Sequence, residues 1–142
     1  MEKQRKSVLD VTIIHLLCIF ETSLCKYIDE VMPKKFKPTY VVWMLEGLNS
    51  AIRLAVKAMD LPPWDKKRKY ELLIECRGEL RYAESRLLHL NSMESINDRA
   101  MSRFIIQLDE IYSNLERLLR SLLKKVSETE TQSQDDASVL AN

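Results

Sequence analysis

Helix breakers are so scarce in this chain that they decide its architecture. Only two glycines, Gly47 and Gly78, and four prolines, Pro33, Pro38, Pro62 and Pro63, occur in 142 residues. The prolines fall in two clusters, so long stretches on either side of them contain nothing that forbids a helix. The length suits one domain with a real core, and an all-α fold is the expectation.

Apolar spacing divides the chain into four helices. Ser7, with Asp10 three residues on, resembles a capping box, and Leu9, Ile13, Leu16, Phe20, Leu24, Tyr27 and Val31 follow at steps of four and three. This predicts a first helix from Val8 to Met32. Pro38 opens the second, where its missing N–H costs nothing, and Val41, Leu45, Leu48, Ile52, Ala55 and Met59 line one face. After Leu61-Pro62-Pro63-Trp64, Asp65 caps a third helix bearing Tyr70, Leu73, Cys76, Leu80, Ala83, Leu87 and Leu90. The fourth starts with Ser95 as cap and Asp98 completing the box, and Met101, Ile105, Leu108, Tyr112, Leu115, Leu119, Leu122 and Val126 form its seam.

Short connections between long helices favour antiparallel neighbours, so the expected fold is an up-down-up-down four-helix bundle over residues 1–126. Residues 127–142 are rich in Ser, Thr, Gln and acids, and are expected to form a disordered acidic tail. Val42, Met44, Ile106, Ile111, Leu118 and Leu123 lie outside the single seams, a surplus that suggests self-association.

Chemical signatures are missing. The residues three before His15 and His89 are Thr12 and Arg86, which does not fit the Glu-x-x-His pairs of di-metal bundles. No phosphate loop, nucleophile elbow or zinc spacing occurs, so neither an enzyme nor a cofactor is expected. Cys18, Cys25 and Cys76 lie in apolar helical patterns and read as reduced core residues. Val8 to Phe20 is interrupted by Asp10, Thr12 and His15, which argues against a membrane span, and the N-terminus lacks a cleavage site. A cytoplasmic protein is expected.

Charge carries the remaining information. Of 22 basic and 21 acidic residues, Glu128, Glu130, Asp135 and Asp136 lie in the tail, which leaves the body an excess of about five positive charges. Lys66, Lys67, Arg68 and Lys69 occupy the first turn of the third helix, where the macrodipole disfavours them. In an up-down-up-down bundle this run shares one end with Lys3, Arg5, Lys6, Arg120, Lys124 and Lys125, and convergent cations there suit phosphate. Lys34, Lys35 and Lys37 form a smaller basic loop at the other end, around Phe36. Arg77, Arg81, Arg99 and Arg103 alternate with acids and read as intrahelical pairing. Trp43 and Trp64 read as lids or subunit contacts rather than stacking platforms.

Over about Val11 to Leu123 the chain resembles the small bacterial four-helix proteins that include the accessory variability determinant of diversity-generating retroelements and relatives encoded in ribosomal RNA intervening sequences. The resemblance rests on the Pro33-Lys34-Lys35-Phe36-Lys37 turn, the Ala51 to Ala58 stretch, Arg81 with Leu87-Leu88-His89-Leu90, the Ser95-Ile96 turn, and Leu108, Ile111 and Leu115. It implies a homopentamer that binds RNA or DNA and associates with a reverse transcriptase to support mutagenic copying of a template RNA. It carries over no catalytic residue. This chain departs from those strongly basic proteins in its near-neutral charge and acidic tail. A helical protein-binding adaptor with no nucleic-acid role is the competing reading.

Overall fold

The computed structural model describes residues 7–141 apart from 33, 35 and 36, and side chains at these positions other than 37–39 and 132–141. Four helices, α1 (Val8–Glu30), α2 (Lys37–Met59), α3 (Lys66–Ser92) and α4 (Asp98–Ala141), make up the chain, with no strand among the described residues. Each packs on its sequence neighbours and α1 also packs on α4, which closes an antiparallel four-helix bundle.

Local chemistry sets most helix ends. Ser7 Oγ accepts from Asp10 N–H at 3.1 Å, and Asp65 accepts from Arg68 N–H at 3.4 Å, as the capping pattern predicts. α1 ends at Glu30 rather than Met32, and α2 starts one residue before Pro38. The fourth helix departs further from expectation. Its cap is Asn97, whose side chain accepts from Ala100 N–H at 2.8 Å, while Ser95 is buried and donates through Oγ to the Leu90 carbonyl at 2.8 Å. Ser95 therefore closes α3 instead of opening α4.

That closure is a Schellman motif: Ser95 N–H reaches Leu90 O at 3.0 Å and Glu94 N–H reaches Asn91 O at 3.0 Å. Glu94 takes the left-handed position, φ 64°, where a Cβ is unfavourable. Glu94→Gly is therefore expected to stabilise the fold by about 0.5–1 kcal/mol, read as a higher midpoint in chemical denaturation. A lower midpoint would mean that the Glu94 side chain contributes more than its backbone costs.

The core face of α1 is Ile13, Leu17, Phe20, Leu24, Tyr27 and Ile28; Leu16 sits at its edge and Val31 is exposed. α3 matches expectation closely, from Leu73 through Leu90, with Leu72 buried where Tyr70 was expected. On α2 the inward positions are Met44, Gly47, Leu48, Ala51, Ala55, Ala58 and Met59, whereas Val41, Leu45 and Ile52 are only partly buried. Small residues face α3, so the two backbones approach closely. On α4, Phe104, Ile111 and Leu118 join the seam and Ile105 moves to its edge. Met44, Ile111 and Leu118 thus belong to the core and are not surplus, and the stripe they widen serves two neighbouring helices.

α4 continues as helical backbone through 127–141, where the sequence suggests a disordered tail. No glycine or proline interrupts that stretch, and Glu, Gln, Ala and Leu are good helix formers. Leu122 is the last buried side chain among the described residues, and residues 127–131 are all exposed.

α1 passes for a membrane span by length and mean hydropathy, contrary to expectation, because between Val8 and Cys25 its only charged side chains are Asp10 and Glu21. Its inward stripe is nevertheless packed against the other helices, as in a bundle's core helix. Its outward face is apolar too: Val8, Val11 and Ile19 are exposed at 85%, 53% and 41%. Cys18 and Cys25 lie exposed on α1, so only Cys76 is a core thiol. Burial pushes the Cys76 thiol up to about 12, with Glu79 adding to the rise, and Cys76 Sγ donates to the Ala51 carbonyl at 3.2 Å.

Candidate nucleic-acid interface

The antiparallel order brings the start of α1, the α2–α3 loop, the start of α3 and the later turns of α4 to one end. There they surround a cavity of about 650 Å3 lined by Ser7, Asp10, Lys66, Lys69, Ser121 and Lys125, among others. The expected convergence of Lys66, Lys69 and Lys125 is therefore present. Arg120 and Lys124 are exposed on another face of α4, beside the cavity rather than in it. Lys57, in the last turn of α2, is exposed at the same end, set singly among Ala55, Val56, Ala58 and Met59 rather than in a charge run. Lys3, Arg5, Lys6 and Lys35 lie outside the described residues, as does Phe36. Lys34 is exposed in the opposite loop, and Lys37 begins α2.

The cations of the α3 run are not equivalent. Lys69 Nζ reaches Asp10 Oδ2 at 2.9 Å, with side-chain exposures of 20% and 5%. Asp10 is the acid that the sequence reading assigned to a cap, and its Oδ1 is buried with no hydrogen-bond partner among the described residues. Lys66 Nζ donates to the Pro63 carbonyl at 2.8 Å, and Arg68 pairs with Glu71 at 3.3 Å. Lys67, Arg120, Lys124 and Lys125 are exposed. These four, more than Lys69, present charge to an incoming polyanion.

The lateral arginines do not form a track. Arg77 bridges to Glu116 on α4, while Arg81 pairs with Glu84 at 3.8 Å and lies 4.1 Å from the centroid of the Tyr112 ring. Tyr112 donates to Glu84 at 2.8 Å, and burial with that bond pushes its hydroxyl far above the ordinary range. Arg77 thus pairs between helices rather than within one, because α3 and α4 run side by side.

The two tryptophans differ in burial, and only Trp64 departs from the lid reading. Trp43 is half-buried, packed edge-on to Tyr40 at 5.1 Å and covered by Arg86 at 4.9 Å. Trp64 is 81% exposed, and Leu61, three residues earlier, packs on the core instead. Among the described residues no cluster of His, Cys, Asp and Glu has a metal-binding arrangement. No family model, no curated protein and no solved structure matches this chain.

Proposed function

We propose that this chain is a non-catalytic accessory protein of a diversity-generating retroelement, which holds template RNA and its reverse transcriptase through basic surfaces while the polymerase performs the chemistry. The observation that carries this reading is the concentration of exposed Lys67, Arg120, Lys124 and Lys125 around one end of an otherwise charge-balanced bundle. Such a cluster neutralises phosphates without reading bases. The family resemblance supports it, and with it a homopentamer working in the cytoplasm. The outward apolar face of α1 offers a surface for that assembly.

Replacing Lys67, Arg120, Lys124 and Lys125 by Gln is expected to abolish most RNA binding at physiological salt. It should also lower the slope of log affinity against log salt by roughly 3, since each phosphate contact to a single strand contributes about 0.7. Fluorescence anisotropy with a labelled RNA across a salt series measures both, and light scattering on the same samples gives the particle mass. A monomer with no RNA affinity at low salt sinks the proposal. The exposed α1 face favours one other reading, a protein-binding adaptor; capture of a protein partner insensitive to salt, without RNA binding, would establish it.

A further inference from the structure

The Trp64 turn is built to hold an indole in solvent beside the basic run. Pro62 and Pro63 fix two backbone φ angles, Asp65 N–H closes the turn onto the Pro62 carbonyl at 3.0 Å, and Lys66 Nζ holds the Pro63 carbonyl at 2.8 Å. Asp65 then caps α3, so the residue after Trp64 is fixed as well. Leu61 supplies the apolar lid on the core, which leaves Trp64 with no packing duty inside the subunit. The turn fixes the backbone that carries the indole, so only its two side-chain torsions are ordered when it meets a flat ligand.

We propose that Trp64 is a stacking platform for an unpaired nucleobase, so that the basic end takes single-stranded RNA in preference to duplex. The inference rests on the nucleic-acid reading above and adds its substrate class. Lys67, exposed three residues on, with Lys125 exposed at the same end, holds the phosphates flanking the stacked base. A duplex keeps its bases stacked on one another and offers the indole only an end. Its phosphates still meet the lysines, so duplex binding persists through charge alone. A lipid surface is the other flat, anionic partner an exposed tryptophan and lysines suit. The turn presents a single indole rather than an apolar face, which favours one base over a bilayer.

The test uses the full-length protein, a single-stranded RNA of about 12 nucleotides and a duplex of the same length. Trp64→Ala is expected to weaken single-strand binding about tenfold, with duplex affinity and the salt slope unchanged. Trp64→Phe should retain most of the affinity, and in a Trp43→Phe background the Trp64 emission should be quenched by the single strand and not by the duplex. Because Trp64 is exposed, its variants keep the wild-type thermal melt. Equal loss on both RNAs, or no loss on the single strand, overturns the stacking role while leaving charge-driven RNA binding in place. Absence of binding to either RNA at low salt overturns the parent reading together with this one. Binding to phosphatidylserine vesicles with a blue shift of Trp64 emission, and no quenching by RNA, assigns the turn to a membrane surface and also overturns it.

Discussion

Lys69→Met is expected to destabilise the protein by about 2–4 kcal/mol, because it leaves the Asp10 carboxylate buried without its cation. Asp10→Leu should cost less, since the ammonium that remains is partly exposed and can turn to water. The double variant, with apolar groups on both sides, is expected to fall within about 1 kcal/mol of the wild type, as buried pairs commonly do when both partners are replaced. Chemical denaturation followed by circular dichroism gives all four stabilities and hence the coupling. Additive losses would show that the two side chains do not depend on one another. For nucleic-acid experiments the consequence is practical: substituting Lys69 lowers stability along with charge, whereas Lys67 and Lys125 report on charge alone.

Gly47→Ala is the second large effect. A Cβ there would lie 3.0 Å from the Glu79 carbonyl oxygen, 3.1 Å from the Tyr82 ring and 3.2 Å from the Ala83 Cβ. The carbonyl belongs to α3 and cannot step aside, so α2 and α3 must separate along the stretch where they pack most closely. A loss of about 1–3 kcal/mol is expected, against which the better helix propensity of Ala returns at most about 1 kcal/mol. Gly78 is the control, with nothing within 4 Å of its Cβ position. Gly78→Ala should stabilise the protein by up to about 1 kcal/mol, read in thermal melts run side by side. If both substitutions raised the melting temperature, the α2–α3 contact would be looser than its geometry.

These two sites mark where the sequence was hard to read. Apolar period alone located α1 and α3, because each has one continuous stripe of large side chains, such as Leu73, Leu80, Leu87 and Leu90. On α2 the same rule selected Val41, Leu45 and Ile52 and missed Gly47, Ala51 and Ala58, since the tightest helix contact in the bundle is made by its smallest residues. Periodicity weighs bulk, and close approach needs the lack of it. The basic end followed from topology and so was visible in advance for Lys66 and Lys125. The Asp10–Lys69 pair was not, because the partners are 59 residues apart and Asp10 already had a local explanation as part of a cap. Of the two readings of Trp64, lid or subunit contact, its exposure removes the first, because Leu61 packs on the core in its place.

The unbroken course of α4 past the bundle places acidic residues close to the basic end. At 1.5 Å per residue, the helix carries its backbone roughly 28 Å beyond Leu122. That stretch leaves the end of the bundle at which the cavity lined by Lys66, Lys69 and Lys125 opens. For the RNA proposed as its ligand that stretch is a neighbour of like charge, since Glu128 and Glu130 are exposed on it and repel phosphate.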